Sequence, residues 1–360
     1  MIKGYIISWF NSGRNYGQTL QAYALQKKLK NMGYDVSHVC FGTNVYPGFS
    51  AKKVIVQRIR LTKEQRNTQR KFDKFITEHM KVTNYLDSHE AICRFMDKKN
   101  PDFLICGSDQ VWNPFNADPI YYLYKIGSER TKKIAYAVST CDEKRMGKFL
   151  EYPVISKWIK GLDTIFVREN SGKRIFEQLY GVSTQVVLDP TLLLSGKEWI
   201  DNLGLSHKKE RYILCYAFEI TETQQKIIQD KAKKTNCKVH YGNILIKKDA
   251  KQTFASWSPE DFLEQILNAQ EVYTDSFHGM VFSILFHKNF VVFDNGESLK
   301  SDPYYNIDRM KTLLEVVDLS DRIWNGNNVS SEIDYRKVDV ILKEKREICI
   351  SLLRKCIEQK

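Results

Sequence analysis

Apolar positions along the chain alternate between short runs typical of buried strands and 3.6-residue spacing typical of helices, which orders the sequence into strand-helix repeats. Residues 2–10 read as a strand and 11–17 as a polar turn; Leu20, Tyr23, Ala24, Leu25 and Leu29 then fall at near-helical spacing up to Gly33. Residues 34–40 give the next strand, completing a βαβ unit, which predicts a parallel sheet with ligands at the carboxyl ends of its strands. Residues 51–82 interrupt the rhythm. They are rich in Lys, Arg and Gln, with Ile55, Ile59, Phe72, Phe75 and Ile76 as sparse apolar positions, and predict exposed helices or a mobile insertion rather than sheet.

The alternation resumes with a helix over 88–98, strands at 101–107 and 133–139, a helix at 153–162 and a strand from 163 that ends at Arg168. A second series follows residues 185–194: strand 212–218, helix 224–235, strand 238–241, and a helix opened by Ser258-Pro259 with Pro at its first position. It closes with a strand before Asp275, an apolar helix after His278 and strand 290–293, and helices are predicted over 309–319 and 336–358. The fold class expected is α/β: an N-terminal Rossmann-like domain over 1–190 and a C-terminal one over 191–330, facing a central cleft. A helix within 331–360 packs back on the first domain.

Composition narrows the function classes. The chain has 360 residues, 42% of them hydrophobic, which suits two packed cores rather than disorder. No run of apolar residues is long enough to span a bilayer, and the N-terminus lacks a cleavage signature, so a cytoplasmic protein is expected. The 8 cysteines form no Cys-x-x-Cys pair and read as reduced structural thiols, and no His/Cys cluster argues for a metal. A net charge of +12 implies an anionic partner. The basic residues are spread along helices without a helix-turn-helix, zinc-finger or aromatic RNA-binding signature, so no nucleic acid is expected.

Chemistry concentrates where strands hand over to helices. His278 and Gly279 follow the polar turn Thr274-Asp275-Ser276, where a helix dipole and backbone N–H groups could hold an anion beside an imidazole; a plain helix cap at Asp275 or Ser276 is the alternative. Asp109, Gln110 and Trp112 follow strand 101–107 and suit a binding crevice, or a local turn around Asp109. Arg168 can fork onto a carboxylate or phosphate, or pair internally with a neighbour such as Glu169.

Taken together, Asn15-Tyr16-Gly17 with Leu20-Gln21, Gly107-Ser108-Asp109-Gln110-Val111-Trp112-Asn113-Pro114, Val167-Arg168-Glu169, Asp189-Pro190-Thr191, Thr274-Asp275-Ser276-Phe277-His278-Gly279 and Asp308-Arg309-Met310 resemble the polysaccharide pyruvyl transferase family, in order from about residue 4 to about 322. The resemblance implies two facing Rossmann-like domains, as in GT-B glycosyltransferases. It also implies transfer of a pyruvyl group from phosphoenolpyruvate to a sugar of a surface-polysaccharide precursor, commonly as a cyclic ketal, with no cofactor or metal. Under it, His278 is the general acid and Asp109 the base or sugar-orienting group. Arg168, Arg309, Ser276 and Gly279 would bind the donor; Asn15, Tyr16, Gln110 and Trp112 would bind the acceptor. A glycan on a polyprenyl pyrophosphate would place the basic protein peripherally on the inner face of the membrane. The rival expectations are a nucleotide-sugar-dependent GT-B glycosyltransferase, a non-catalytic carbohydrate-binding protein, and a nucleic-acid binder acting through its basic surface.

Overall fold

Strands buried on both faces carry continuous apolar runs, and Leu104, Ile105 and Cys106 are of this kind: all are fully buried. They belong to a computed structural model that describes residues 1–11, 14–42, 62–208, 210–242, 244–246, 252–253, 256–296, 302, 304–326 and 332–359. The chain divides into one unit of residues 1–193 and 343–360 and a second of residues 194–342.

The first unit holds β1 (Lys3–Ile7), β2 (Asp35–Phe41), β3 (Val82–Leu86), β4 (Phe103–Cys106), β5 (Lys132–Val138), β6 (Thr164–Val167) and β7 (Gln185–Val186). They form one seven-stranded sheet in the order β3-β2-β1-β4-β5-β6-β7, with every pairing parallel. The order reverses between β1 and β4, the topological switch point at which doubly wound folds bind ligands. There the strand ends approach so closely that a Cβ on Gly107 would lie 2.8 Å from the Ser8 Cβ, so glycine is required.

The second unit contains β8 (Tyr212–Tyr216), β9 (Glu219–Ile220), β10 (Lys238–Gly242), β11 (Ile244–Ile246), β12 (Gln252–Thr253), β13 (Glu271–Thr274), β14 (Asn289–Phe293) and β15 (Ile323–Trp324). Its main sheet, β10-β8-β13-β14-β15, is again parallel throughout, with its switch point between β8 and β13. Both units are therefore Rossmann-like. The Pro259–Asn268 helix begins as the sequence predicts, with a reciprocal Ser258–Asp261 capping box and Pro at its first position.

Residues 62–82 depart from expectation; residues 51–61 of that stretch, with Ile55 and Ile59, lie outside the described residues. Lys63–His79 is a capped helix whose Phe72, Phe75 and Ile76 are fully buried, so it is part of the first core and not an exposed insertion. Its apolar positions are few because one stripe suffices to seat it. β3, which follows, went unrecognised because it is an edge strand, with Asn84 exposed and no clean alternation.

The last helix, Tyr335–Glu358, begins in the second unit and ends in the first. Its later turns pack back on the first unit: Tyr34 Oη donates to Glu358 at 2.7 Å, Arg346 Nε donates to the Leu192 carbonyl at 2.6 Å, and Cys349, Leu353 and Ile357 are buried. Among the described residues no helix is long and apolar enough to cross a membrane.

Phe72→Ala should lower the unfolding free energy by about 3–5 kcal/mol in urea denaturation, the cost of emptying a filled core site. A change within about 0.5 kcal/mol, typical of surface positions, would return this helix to the status of an insertion.

Candidate active site

At the carboxyl edge of the first sheet, four neighbouring strand ends are tied by one buried ionic network. Arg168, directly after β6, has a side chain 1% exposed. Its Nη1 lies 2.8 Å from Asp189 Oδ2 and its Nη2 3.9 Å from Asp109 Oδ1, while Nε is 3.7 Å from Glu169 Oε2. Burial works against the guanidinium's charge, and Asp189, Glu169 and Asp109 outweigh it, holding the pKa above its ordinary value. The Ser108 hydroxyl donates to Asp189 at 2.8 Å, the Thr191 N–H and hydroxyl donate to its other oxygen, and Glu169 accepts from the Ser139 hydroxyl and the Thr140 N–H.

Backbone strain sits at the same edge. Asp109 has φ 77° and ψ 180°, a region almost exclusive to glycine, and it bridges to Val138. Ala137 has φ 53°, and the β5–β6 register shifts between Ala135 and Val138. The irregularity turns the chain so that Ser139 reaches Glu169 and its N–H reaches the Asp109 carbonyl at 2.9 Å.

In the second unit the site is built around Asp275, at the end of β13. Its carboxylate, 2% exposed, accepts from the N–H groups of Phe218 and Glu219 at 2.7 and 3.1 Å and from Asn295 Nδ2 at 2.9 Å. It thereby closes the switch point between β8 and β13. Burial raises its pKa to about 6, the backbone and Asn295 hydrogen bonds opposing the rise. Asn295 is itself held by Gln224 at 2.9 Å. Directly afterwards Ser276 caps the nine-residue Phe277–Leu285 helix, accepting from the Gly279 N–H.

His278, 8% exposed, is the second residue of that helix, and its ring packs edge-on against Phe277 with centroids 5.1 Å apart. The Arg309 guanidinium, from the Asp308–Val316 helix, lies 5.9 Å from the same Phe277 ring centre. An imidazole and a guanidinium thus share one aromatic ring at the positive end of a helix dipole, where an anion is favoured.

The family model described as "Polysaccharide pyruvyl transferase" matches residues 15–297, which is 283 of 360 residues. The chain belongs to the polysaccharide pyruvyl transferase family. Among solved structures, a Listeria monocytogenes protein assigned as a UDP-N-acetylglucosamine 2-epimerase is similar at 12% identity over 100% of this chain and 97% of that one, with a TM-score of 0.49. The glycosyltransferase SnogD from Streptomyces nogalater is similar at 9% identity over 99% of both chains, with a TM-score of 0.41. Likeness at this level bears on neither fold detail nor function. None of the curated proteins compared matches the sequence.

For this polysaccharide pyruvyl transferase, the structure redistributes the residues expected from sequence. Asp109 and Arg168 come together in the first unit, and His278, Ser276, Gly279 and Arg309 in the second. Arg168 makes the internal pairing the sequence offers as the alternative to an anion fork, with Asp189 its shortest partner and Glu169 the next carboxylate. Gly279 serves close packing: a Cβ there would meet Thr274 Oγ1 at 2.4 Å, and its N–H is given to Ser276.

Three of the four expected acceptor residues are buried. Trp112 is fully buried, donates to the Tyr121 carbonyl at 2.8 Å and stacks on Tyr122. Tyr16, 2% exposed, packs on Phe72, and Gln110, 3% exposed, accepts from Asn113. Asn15 alone stays exposed, capping the Tyr16–Asn31 helix by accepting from the Gln18 N–H. Sequence reasoning named Asp189 within a motif and Asp275 as a possible helix cap without giving either a place in the site, and it passed over Asn295. The first two were visible as acids directly after apolar strand runs, whereas nothing local marks Asn295.

Two predictions follow from this geometry. Asp109→Gly should be more stable than Asp109→Ala by about 1 kcal/mol, because both lose the carboxylate facing Arg168 and only glycine adopts this backbone without strain; equal stability of the two in urea denaturation would place the strain elsewhere. For Asp275 the folded-state pKa of about 6 exceeds the ordinary 3.8. The folded chain therefore binds the proton more tightly, and stability declines as pH rises from about 4 to about 6, by about 3 kcal/mol in full. Comparing wild type with Asp275→Asn across that window should show a steeper decline for wild type. Parallel profiles would refute a buried titrating carboxyl here.

Proposed function

We propose that this transferase moves a pyruvyl group from phosphoenolpyruvate onto two hydroxyls of a sugar in a surface-polysaccharide precursor, forming a cyclic ketal and releasing inorganic phosphate. The observation that carries the reading is the shared position of His278 and Arg309 around Phe277 at the start of the Phe277–Leu285 helix. Phosphoenolpyruvate brings a carboxylate and a phosphate, and a guanidinium beside a helix N-terminus suits one of them. A protonated His278 delivers its proton to the methylene carbon, which makes C2 cationic. One sugar hydroxyl adds at C2; the second displaces phosphate, and the two hydroxyl protons leave to base and phosphate.

Asp109 is the base in this scheme. Its carboxylate is held 3.9 Å from Arg168, and the strained backbone fixes its direction. Arg168 acts through Asp109 and not on the donor. The scheme balances without a cofactor. A glycan carried on a polyprenyl pyrophosphate is the acceptor class that fits a basic protein acting at the inner face of the membrane.

Phosphate release from phosphoenolpyruvate, assayed against galactose-, glucose- and mannose-type acceptors including lipid-linked glycans, should be acceptor-dependent. His278→Ala should slow it by about 100- to 10,000-fold, the usual contribution of general acid catalysis. Thermal stabilisation by a nucleotide sugar, with none by phosphoenolpyruvate and no phosphate release, would assign the chain to sugar transfer instead.

A further inference from the structure

Nine large apolar side chains are exposed among the described residues, and four of them, Phe115, Leu150, Tyr152 and Val154, fall on one small part of the first unit. The helical turn Pro114–Asn116 packs against the Gly147–Leu150 helix, and Lys148 Nζ lies 5.7 Å from the Phe115 ring centre. Within the same elements Phe149 and Ile155 point inward and are 1% and 0% exposed, whereas Leu150 and Val154 are 68% and 41% exposed. These helices already have a satisfied inner face. Their outer apolar residues contribute nothing to the core, and a contiguous group of this kind marks an interaction surface.

Two further features define what the surface fits. Residues 142–160 carry five basic side chains against three acidic ones. Each acid faces a base, in Asp142–Arg145, Glu151–Lys148 and Glu143–Arg174, while Lys144, Lys157 and Lys160 are exposed. Apolar side chains interspersed with lysines are the composition of an interfacial membrane contact: the former enter the headgroup boundary and the latter meet anionic lipid. Moreover, Phe115 lies on the chain leaving β4 and Leu150 on the chain leaving β5, so the patch stands at the carboxyl edge of the sheet that carries Asp109 and Arg168.

We propose that the rim formed by Phe115, Leu150, Tyr152 and Val154, with Lys144 and Lys157, docks this protein on an anionic membrane surface. Its use in meeting a lipid-linked acceptor rests on the function proposed above; the docking does not.

The test is sedimentation of the full chain, without substrates, with phosphatidylcholine vesicles alone or containing phosphatidylglycerol. Wild type should bind the anionic vesicles more tightly than the neutral ones, and less tightly as salt is raised. Leu150→Asp with Val154→Asp should weaken that binding about tenfold or more, as should Lys144→Glu with Lys157→Glu. Val340→Asp with Ile348→Asp, which adds the same charge at two exposed apolar positions of the last helix, should leave binding unchanged. Circular-dichroism melts confirm folding, and if the Leu150/Val154 pair melts early, the lysine pair supplies the reading. Absence of wild-type binding, or equal loss in the Leu150/Val154 and Val340/Ile348 pairs, overturns the proposal. So does vesicle-free self-association that the Leu150/Val154 pair abolishes, which would give the patch to a second copy of the chain. Phosphate release from phosphoenolpyruvate with a soluble acceptor is measured separately, so failure of the donor assignment and failure of docking are told apart.

Discussion

A charge removed from water has to be compensated where it is buried, and the Arg168 guanidinium imposes that requirement on the carboxyl edge of the first sheet. Asp189 meets it most directly, and the hydroxyls of Ser108 and Thr191 in turn satisfy Asp189. Glu169 draws in Ser139 and Thr140. The consequence is mechanical as well as electrostatic, because the ends of β4, β5 and β6 and the turn after β7 cannot shift independently without uncovering a charge. Asp109 is the member of this network with the longest contact and the strained backbone. The rigid frame around it is what allows such a conformation to persist.

The second unit meets a similar requirement with neutral partners. Among the described residues the oxygens of Asp275 are held by neutral groups, two backbone N–H groups and an amide. That is a weaker compensation for burial than an ion pair, which is why its proton affinity rises whereas the first unit's network holds a guanidinium charged. One carboxyl nevertheless performs the task of several, since it joins β9, β13 and Asn295, in the chain leaving β14, across the switch point.

How much of this was legible in the sequence depended on whether the signal was local. The β4 run Phe103–Cys106 and the Ser258-Pro259 helix start are local patterns, and both stand where the sequence put them. The Lys63–His79 helix was misjudged because three buried side chains, Phe72, Phe75 and Ile76, were read against a polar background that only faces solvent. Indole and phenol groups after a strand or a turn suit a crevice, which is how Trp112 and Tyr16 read in the sequence; their packing on Tyr122 and Phe72, distant or unmarked in sequence, shows that both side chains are buried. Arg168 was legible as an anion fork or an internal ion pair, but the identity of its main partner was not. Asp189, its main partner, is 21 residues away, and no spacing rule joins two strand ends.

The two edges differ in the sign of the field they offer. Three carboxylates surround one guanidinium at the first, an environment that disfavours a further anion and favours a hydroxyl able to donate. At the second, the carboxylate of Asp275 is occupied with Phe218, Glu219 and Asn295, leaving the start of the Phe277–Leu285 helix, His278 and Arg309 to set the local potential. The proposed transfer, joining a doubly anionic donor to a neutral polyol, would draw on this division of labour. The polarity of the two strand edges thus fits the proposed placing of donor at the second unit and acceptor at the first.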